Sequence, residues 1–161
     1  MRNPFRSNHT TTTSMGVLDA GGEDARSERD DRGCGGRLVS VGVFVGLEAC
    51  WRCRQPTGVI VGVDVPGVGP VPIDDVLTAA FGSPTLDQWR ASRGIGVVRR
   101  RASKTAQRVN MSQGCRNCDV LLGTFFLQDA FAALESEGVL DEHRVDDVVI
   151  DAAIVASWLD E

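Results

Sequence analysis

Apolar residues are unevenly spread along the chain, and their spacing changes from one stretch to the next. Residues 1–36 hold few of them: a Thr/Ser run at 10–14, a Gly-Gly pair and a charged stretch ending in Arg-Gly-Cys-Gly-Gly fill the segment. Little apolar surface is there to offset the cost of ordering the backbone, so a disordered tail is expected, with Met15 as an alternative start. Order is expected from Leu38, where Leu38-Val39-Ser40-Val41-Gly42-Val43-Phe44-Val45 reads as a strand rich in β-branched residues. It runs into Cys50-Trp51-Arg52-Cys53, and after Gln55-Pro56-Thr57-Gly58 a second strand is predicted at 59–63. The Gly/Pro-rich residues 66–72 read as a loop.

Ile73, Val76, Leu77 and Ala80 recur at helical spacing over 73–81, and Gly82 breaks the pattern. Ser83-Pro84 then reads as the N-cap and first-turn proline of a short helix through Trp89, closed by Gly94 and Gly96. Strands are predicted at 97–101 and 108–111 around a turn, and at 124–127 beyond Cys115-Arg116-Asn117-Cys118 and Gly123. The remainder reads as helical. One helix starts near Gln128 and carries Phe131 and Leu134; another carries Val145, Val148, Val149, Ala152, Val155, Trp158 and Leu159 at i, i+3, i+4 spacing. The β-branched content of 145–150 leaves a strand there as the alternative. Asp74-Asp75 and Asp146-Asp147 open predicted helices, where carboxylates complement the helix dipole. Trp89 and Trp158 fall on apolar positions and read as core.

These elements amount to an α+β fold: a small antiparallel β-sheet on two metal-binding knuckles, with covering helices. Three parts are expected: a tail at 1–36, a knuckle domain at 37–127 with a helical insert at about 73–93, and an acidic, helical C-terminal segment at 128–161 packed on it. A length of 161 residues suits one ordinary domain. The formal charge of −5 matters less than its distribution. From Arg90 to Cys118 there are eight basic residues and no acid, whereas from Asp119 to Glu161 there are eleven acids and one arginine, Arg144. No apolar run of signal-peptide or membrane-spanning length occurs, so a cytoplasmic location and no membrane partner are expected. In a reducing compartment, five cysteines are metal ligands or free thiols rather than disulfides.

Four of those cysteines form two CxxC pairs, Cys50/Cys53 and Cys115/Cys118. Each pair places two thiols close enough to share one tetrahedral ion, and two pairs close the shell with no position left for water. That is the donor set of a structural zinc site, with one zinc expected per chain. The sixty-one residues between Cys53 and Cys115 far exceed the common spacing of about 15–20, so the insert must leave the metal and return. Four thiolates around a divalent cation leave a formal charge of −2, which Arg52, Arg54 and Arg116 are placed to offset. A thiol–disulfide redox protein using Cys50 and Cys53 is the alternative, although no βαβ unit surrounds either pair and the second pair would be left unexplained.

Glu48-Ala49-Cys50-Trp51-Arg52-Cys53, the second pair in Asn110-Met111-Ser112-Gln113-Gly114-Cys115-Arg116-Asn117-Cys118, and the following Leu122-Gly123-Thr124-Phe125-Phe126-Leu127 together resemble a loose group of bacterial zinc-ribbon-like proteins. These share C-W-x-C, a β-rich stretch, and a late C-x-x-C followed by glycine and a Phe-Phe or Phe-Leu pair. The resemblance covers roughly 48–127. It implies a zinc module, sometimes appended to nuclease-like or competence-related proteins, and no particular activity. Members commonly carry an aromatic residue before the second pair and a glycine after its last cysteine; here Val109 and Asp119 stand near those places.

The remaining chemistry is sparse. Arg99, Arg100, Arg101 and Lys104 lead into the second pair and are candidates for gripping nucleic-acid phosphates, although stacking aromatics are missing from that stretch and the chain is acidic overall. The other reading has these charges facing solvent or the chain's own acids at 141–151. Trp51 reads as a core or knuckle-packing residue, with a stacking surface as the alternative. His143, beside Asp141 and Glu142, reads as a solvated loop residue, and Cys34 and His9 fall in the tail. No serine or cysteine stands beside a plausible base, and no glycine loop suits phosphate. The function expected is a non-enzymatic zinc module for protein or nucleic-acid recognition, or a scaffold subunit of a larger assembly.

Overall fold

The computed structural model describes residues 36–160, so the expected tail, with His9, Met15 and Cys34, lies outside the described residues but for Gly36. Among them, seven strands form two antiparallel sheets, in an α+β arrangement with four helices. The first sheet has the order β3-β2-β1-β7, built from β1 (Leu38–Ala49), β2 (Pro56–Val65), β3 (Gly69–Pro72) and β7 (Arg144–Asp151). The second has the order β4-β5-β6, from β4 (Val98–Ser103), β5 (Arg108–Gly114) and β6 (Leu121–Leu122).

β1 and β2 form the central hairpin, and their middle residues are buried on both faces. Continuous Val/Ile content rather than alternation is what such a doubly covered position requires. On one face Phe131 of α3 (Thr124–Ser136) meets Phe44 edge-on, ring centroids 6.2 Å apart. Gly62 makes that approach possible: a Cβ there would lie 2.5 Å from the Phe131 ring. α1 (Asp75–Ala80) packs against β5 and against α4 (Ala152–Leu159). Asp74 caps α1 by accepting from the Leu77 N–H at 2.7 Å. Ser83 caps a 3₁₀ turn at Pro84–Leu86, from which α2 (Asp87–Ser92) continues. Trp89 and Trp158 pack half-buried against the core, Trp89 stacked on Phe81.

Three sequence-based expectations are corrected. The segment 66–72 is more than a loop: Gly69–Pro72 pairs with β2 as an edge strand, where the missing proline N–H groups cost no ladder bond. Residues 124–127 open α3 instead of forming a strand. Gly123 is extended at the N-cap, and Leu127 and Phe131, one turn apart, turn inward while Phe125 and Phe126 stay exposed. The single C-terminal helix is two elements: 144–151 is strand β7, the alternative that its β-branched residues allowed, and α4 follows. β1 offers an open edge, and Val148 and Ile150, two apart, bury against it with Val149 exposed between them. Asp146 and Asp147 therefore lie on a strand rather than at a helix start, and the helix N-cap is Asp151.

The two sheets meet where β3 runs out. β3 ends at Pro72, opposite Gly62, and the Ile73 N–H still donates to the Val61 carbonyl at 2.8 Å, so Ile60 is the residue of β2 whose backbone groups need another partner. Gln113 of β5 supplies it: its side-chain oxygen accepts from the Ile60 N–H at 2.8 Å and its amide donates to the Ile60 carbonyl at 2.7 Å. Further along, the Gly58 N–H donates to the Gly94 carbonyl at 2.9 Å. The Gln113 bonds hold the end of β5, and with it Cys115, against the first hairpin.

Candidate metal centre

Each CxxC pair sits in the turn of a hairpin, Cys50/Cys53 between β1 and β2 and Cys115/Cys118 between β5 and β6. The two turns have the same backbone design although their sequences share little but cysteine. In the first, the Arg54 N–H donates to the Cys50 carbonyl at 2.9 Å and the Cys50 N–H to the Gln55 carbonyl at 3.0 Å. In the second, the Asp119 N–H donates to the Cys115 carbonyl at 2.9 Å and the Cys115 N–H to the Val120 carbonyl at 2.8 Å. The residue after the second cysteine is left-handed in both, with φ 61° at Arg54 and 54° at Asp119. Glycine adopts that conformation without strain, which is why it is expected there and why these two residues carry a cost.

The turns also hold each other. The Trp51 indole N–H donates to the Leu121 carbonyl at 3.1 Å, and the Asn117 amide donates to the Pro56 carbonyl at 3.1 Å. Leu121 and Pro56 are each the sixth residue after the first cysteine of their own turn, so the pairing is close to two-fold. Thr57, buried under the first hairpin, accepts from the Arg116 N–H at 3.0 Å.

This brings all four sulfurs together, every Sγ within 4.8 Å of the others. Cys50 and Cys118 are 3.7 Å apart, as are Cys53 and Cys115, far longer than a disulfide, and all four are free thiols. A tetrahedron with metal–sulfur bonds of about 2.3 Å has edges of about 3.8 Å, so the donor set fits a tetrahedral ion. Cys50 and Cys115 are buried; Cys53 and Cys118 are half-buried.

The electrostatics favour a cation between them. At Cys115 burial works against ionisation, but the N–H groups of Asn117 and Cys118 outweigh it and bring the thiol down to about 6. Cys50 is likewise lowered, burial being overcome by the N–H groups of Cys53 and Arg52. At Cys53 the Gln55 N–H favours the thiolate, yet burial and three neighbouring sulfurs push the thiol up to about 12. Bare thiolates at this spacing repel one another, so full ionisation of the set requires positive charge among them.

The basic stretch before Cys115 is divided. Arg99 and Arg101 both pair with Asp119, and Arg101, its side chain 9% exposed, also donates to the Val97 carbonyl at 3.0 Å. Arg101 is thus an internal prop under the second turn. Arg100 is exposed on the opposite face of β4, and Lys104 is exposed in the β4–β5 turn. Of the acids at 141–151, Asp146 reaches the 90–118 stretch, where it accepts from Arg93, and it also accepts from Trp89 just before that stretch. His143 lies 3.1 Å from the Val45 carbonyl rather than among carboxylates. Sequence reasoning missed Gln113, Thr57 and Asn117, whose roles depend on partners more than fifty residues away. Among the described residues, no helix is long and apolar enough to cross a membrane. No family model, curated protein or solved structure matches the chain.

Proposed function

We propose that Cys50, Cys53, Cys115 and Cys118 hold one structural zinc ion, and that the chain is a non-enzymatic zinc-ribbon-type module serving in recognition of protein or nucleic acid. The observation that carries this is the convergence of four sulfurs, from two turns of the same backbone design, at the spacing of a closed tetrahedral shell. Zinc suits an all-thiolate tetrahedral set and brings no redox chemistry of its own. It would tie the β1–β2 hairpin to the β5–β6 hairpin, so binding free energy, about 10–16 kcal/mol for structural zinc, would be folding free energy.

Elemental analysis of protein purified without added metal, under reducing conditions, tests the reading, with one zinc per chain expected. Less than about a tenth of chains carrying zinc or iron would overturn it, given the affinity such sites have. Cys115→Ser should lose the metal and unfold the second sheet, whereas Cys34→Ser should change neither metal content nor melting temperature. A thiol–disulfide protein would instead reduce insulin when zinc-loaded. The proposed centre shows only background there, because its thiolates are committed to the ion.

A further inference from the structure

Among the described residues six of the eleven arginines have carboxylate partners, and of the five without one, Arg37 and Arg100 stand apart from the cysteine turns. Arg90 pairs with Asp87, Arg93 with Asp146, Arg99 and Arg101 with Asp119, Arg108 with Asp75, and Arg144 with Asp147 and Asp64. Arg52, Arg54 and Arg116, all exposed and all in the two cysteine turns, have none among the described residues. Beside them stands Trp51, 60% exposed. Its indole N–H is already bonded to the Leu121 carbonyl, so the ring is held in place while much of its surface stays open to solvent. At the other end of the same turn an open cleft of about 460 Å³ lies between Leu47, Pro56, Arg93 and Arg116. Its floor is Gly58 and Gly94, which approach so closely that a Cβ on Gly58 would lie 2.6 Å from the Arg93 carbonyl oxygen.

A fixed, exposed aromatic ring, three exposed guanidinium groups without carboxylate partners among the described residues and an adjoining cleft with an apolar wall are what an extended single strand of nucleic acid uses. The ring stacks a base, the cations meet successive phosphates, and the cleft takes a second base. A duplex keeps its bases stacked inside and gives Trp51 nothing to bind. An acidic peptide would use the arginines but leave the tryptophan idle.

We propose that the two cysteine turns together form a single-stranded nucleic-acid site, with Trp51 stacking a base and Arg52, Arg54 and Arg116 contacting phosphates. The proposal deepens the recognition role proposed above and rests on it. It places the contact on the turns rather than on Arg99, Arg100, Arg101 and Lys104 of the β4 hairpin. Phosphates outcompete the centre's own negative charge for these side chains only in part, so modest affinity with a shallow salt dependence is the expected behaviour.

The test is a titration of the full-length, zinc-loaded chain with an oligodeoxythymidylate of about ten nucleotides, long enough to cover one small site. Tryptophan fluorescence is followed at several salt concentrations, with zinc content measured for every variant. Quenching is expected, and three phosphate contacts at about 0.7 each predict a log–log salt slope near −2. Arg54→Gln with Arg116→Gln should bring the slope down by about 1.4 with zinc retained. Trp51→Phe should keep binding but lose the quench, and Trp51→Ala should weaken binding at least about fivefold, the loss of one stacked base. Arg37→Gln removes the same charge about 40 Å away, at the far end of β1, and should change nothing.

Absence of binding at low salt by zinc-loaded protein overturns the proposal while leaving the metal centre standing. Equal effects of Arg37→Gln and Arg54→Gln would overturn it too, by reducing the interaction to net charge. Polyglutamate competing as well as the oligonucleotide would assign the surface to an acidic protein partner instead. If the arginine variants lose zinc and not oligonucleotide binding, those side chains serve the metal's charge and the proposal falls.

Discussion

Replacing Gln113 by leucine tests the junction that positions half of the metal centre. Gln113 is 1% exposed and Ile60 is fully buried, and the glutamine amide satisfies both the N–H and the carbonyl of Ile60. Leucine is close in volume, so little cavity is left, but two buried backbone groups lose their partners. Each such group costs about 1–3 kcal/mol, which puts the loss at about 2–6 kcal/mol. That is a large fraction of the stability of any small domain. With the proposed zinc bound, urea denaturation at fixed free zinc should show a lower midpoint with an unchanged slope. Extraction of that proposed ion by a chelator should also quicken, because Gln113 stands two residues before Cys115 and its loss loosens the end of β5. Gln113→Glu gives a further check. Its protonated carboxyl can accept from the N–H and donate to the carbonyl, whereas the carboxylate can only accept. Burial raises the folded-state pKa of such a group, so its advantage over Gln113→Leu is present at low pH and lost as pH rises through that pKa. A loss below about 1 kcal/mol for Gln113→Leu would mean that water or another group serves Ile60, and the reasoning would fail.

The two left-handed positions should respond in opposite directions. Arg54→Gly relieves strain at no cost in contacts and should stabilise by about 0.5–1 kcal/mol, whereas Asp119→Gly relieves the same strain but strands the nearly buried Arg101 and should lower the melting temperature. Asp146 should make an acid-labile contribution. The Trp89 N–H holds its pKa below the ordinary value, burial opposing and Arg93 assisting. A depressed folded-state pKa contributes stability above the ordinary carboxylate range that is lost as pH falls through the depressed value. Melting temperatures of wild type and Asp146→Asn should therefore converge as pH falls from about 5 through the ordinary aspartate value of about 3.9 and below it, and a gap that stays constant would count against the ion pair.

Elements whose partners are near in sequence, or whose chemistry needs few residue types, were legible from the chain alone. The β1–β2 hairpin, the cap at Ser83, the β4–β5 hairpin and the coming together of the four CxxC cysteines belong here. A turn or a cap is decided by the residues within it, and thiolates in CxxC spacing are donors wherever they stand. Residues 145–159 were not legible, because the apolar spacing there satisfies the helical period as well as the strand period. The open edge of β1 chose between them, since an unpaired buried edge costs more than a helix would return. The start of α3 was decided in the same way, by where Phe131 could meet Phe44 over Gly62. Asp119 reads as a departure from glycine until Arg99 and Arg101 are seen to close on it, and Gln113 reads as a polar strand residue until Ile60 is seen to need it. What the sequence by itself determined was the chemistry available and the local backbone. The burial of polar groups, and therefore which of them became supports for the cysteine cluster, depended on pairings between residues from about twenty to more than fifty positions apart that only the tertiary structure could make.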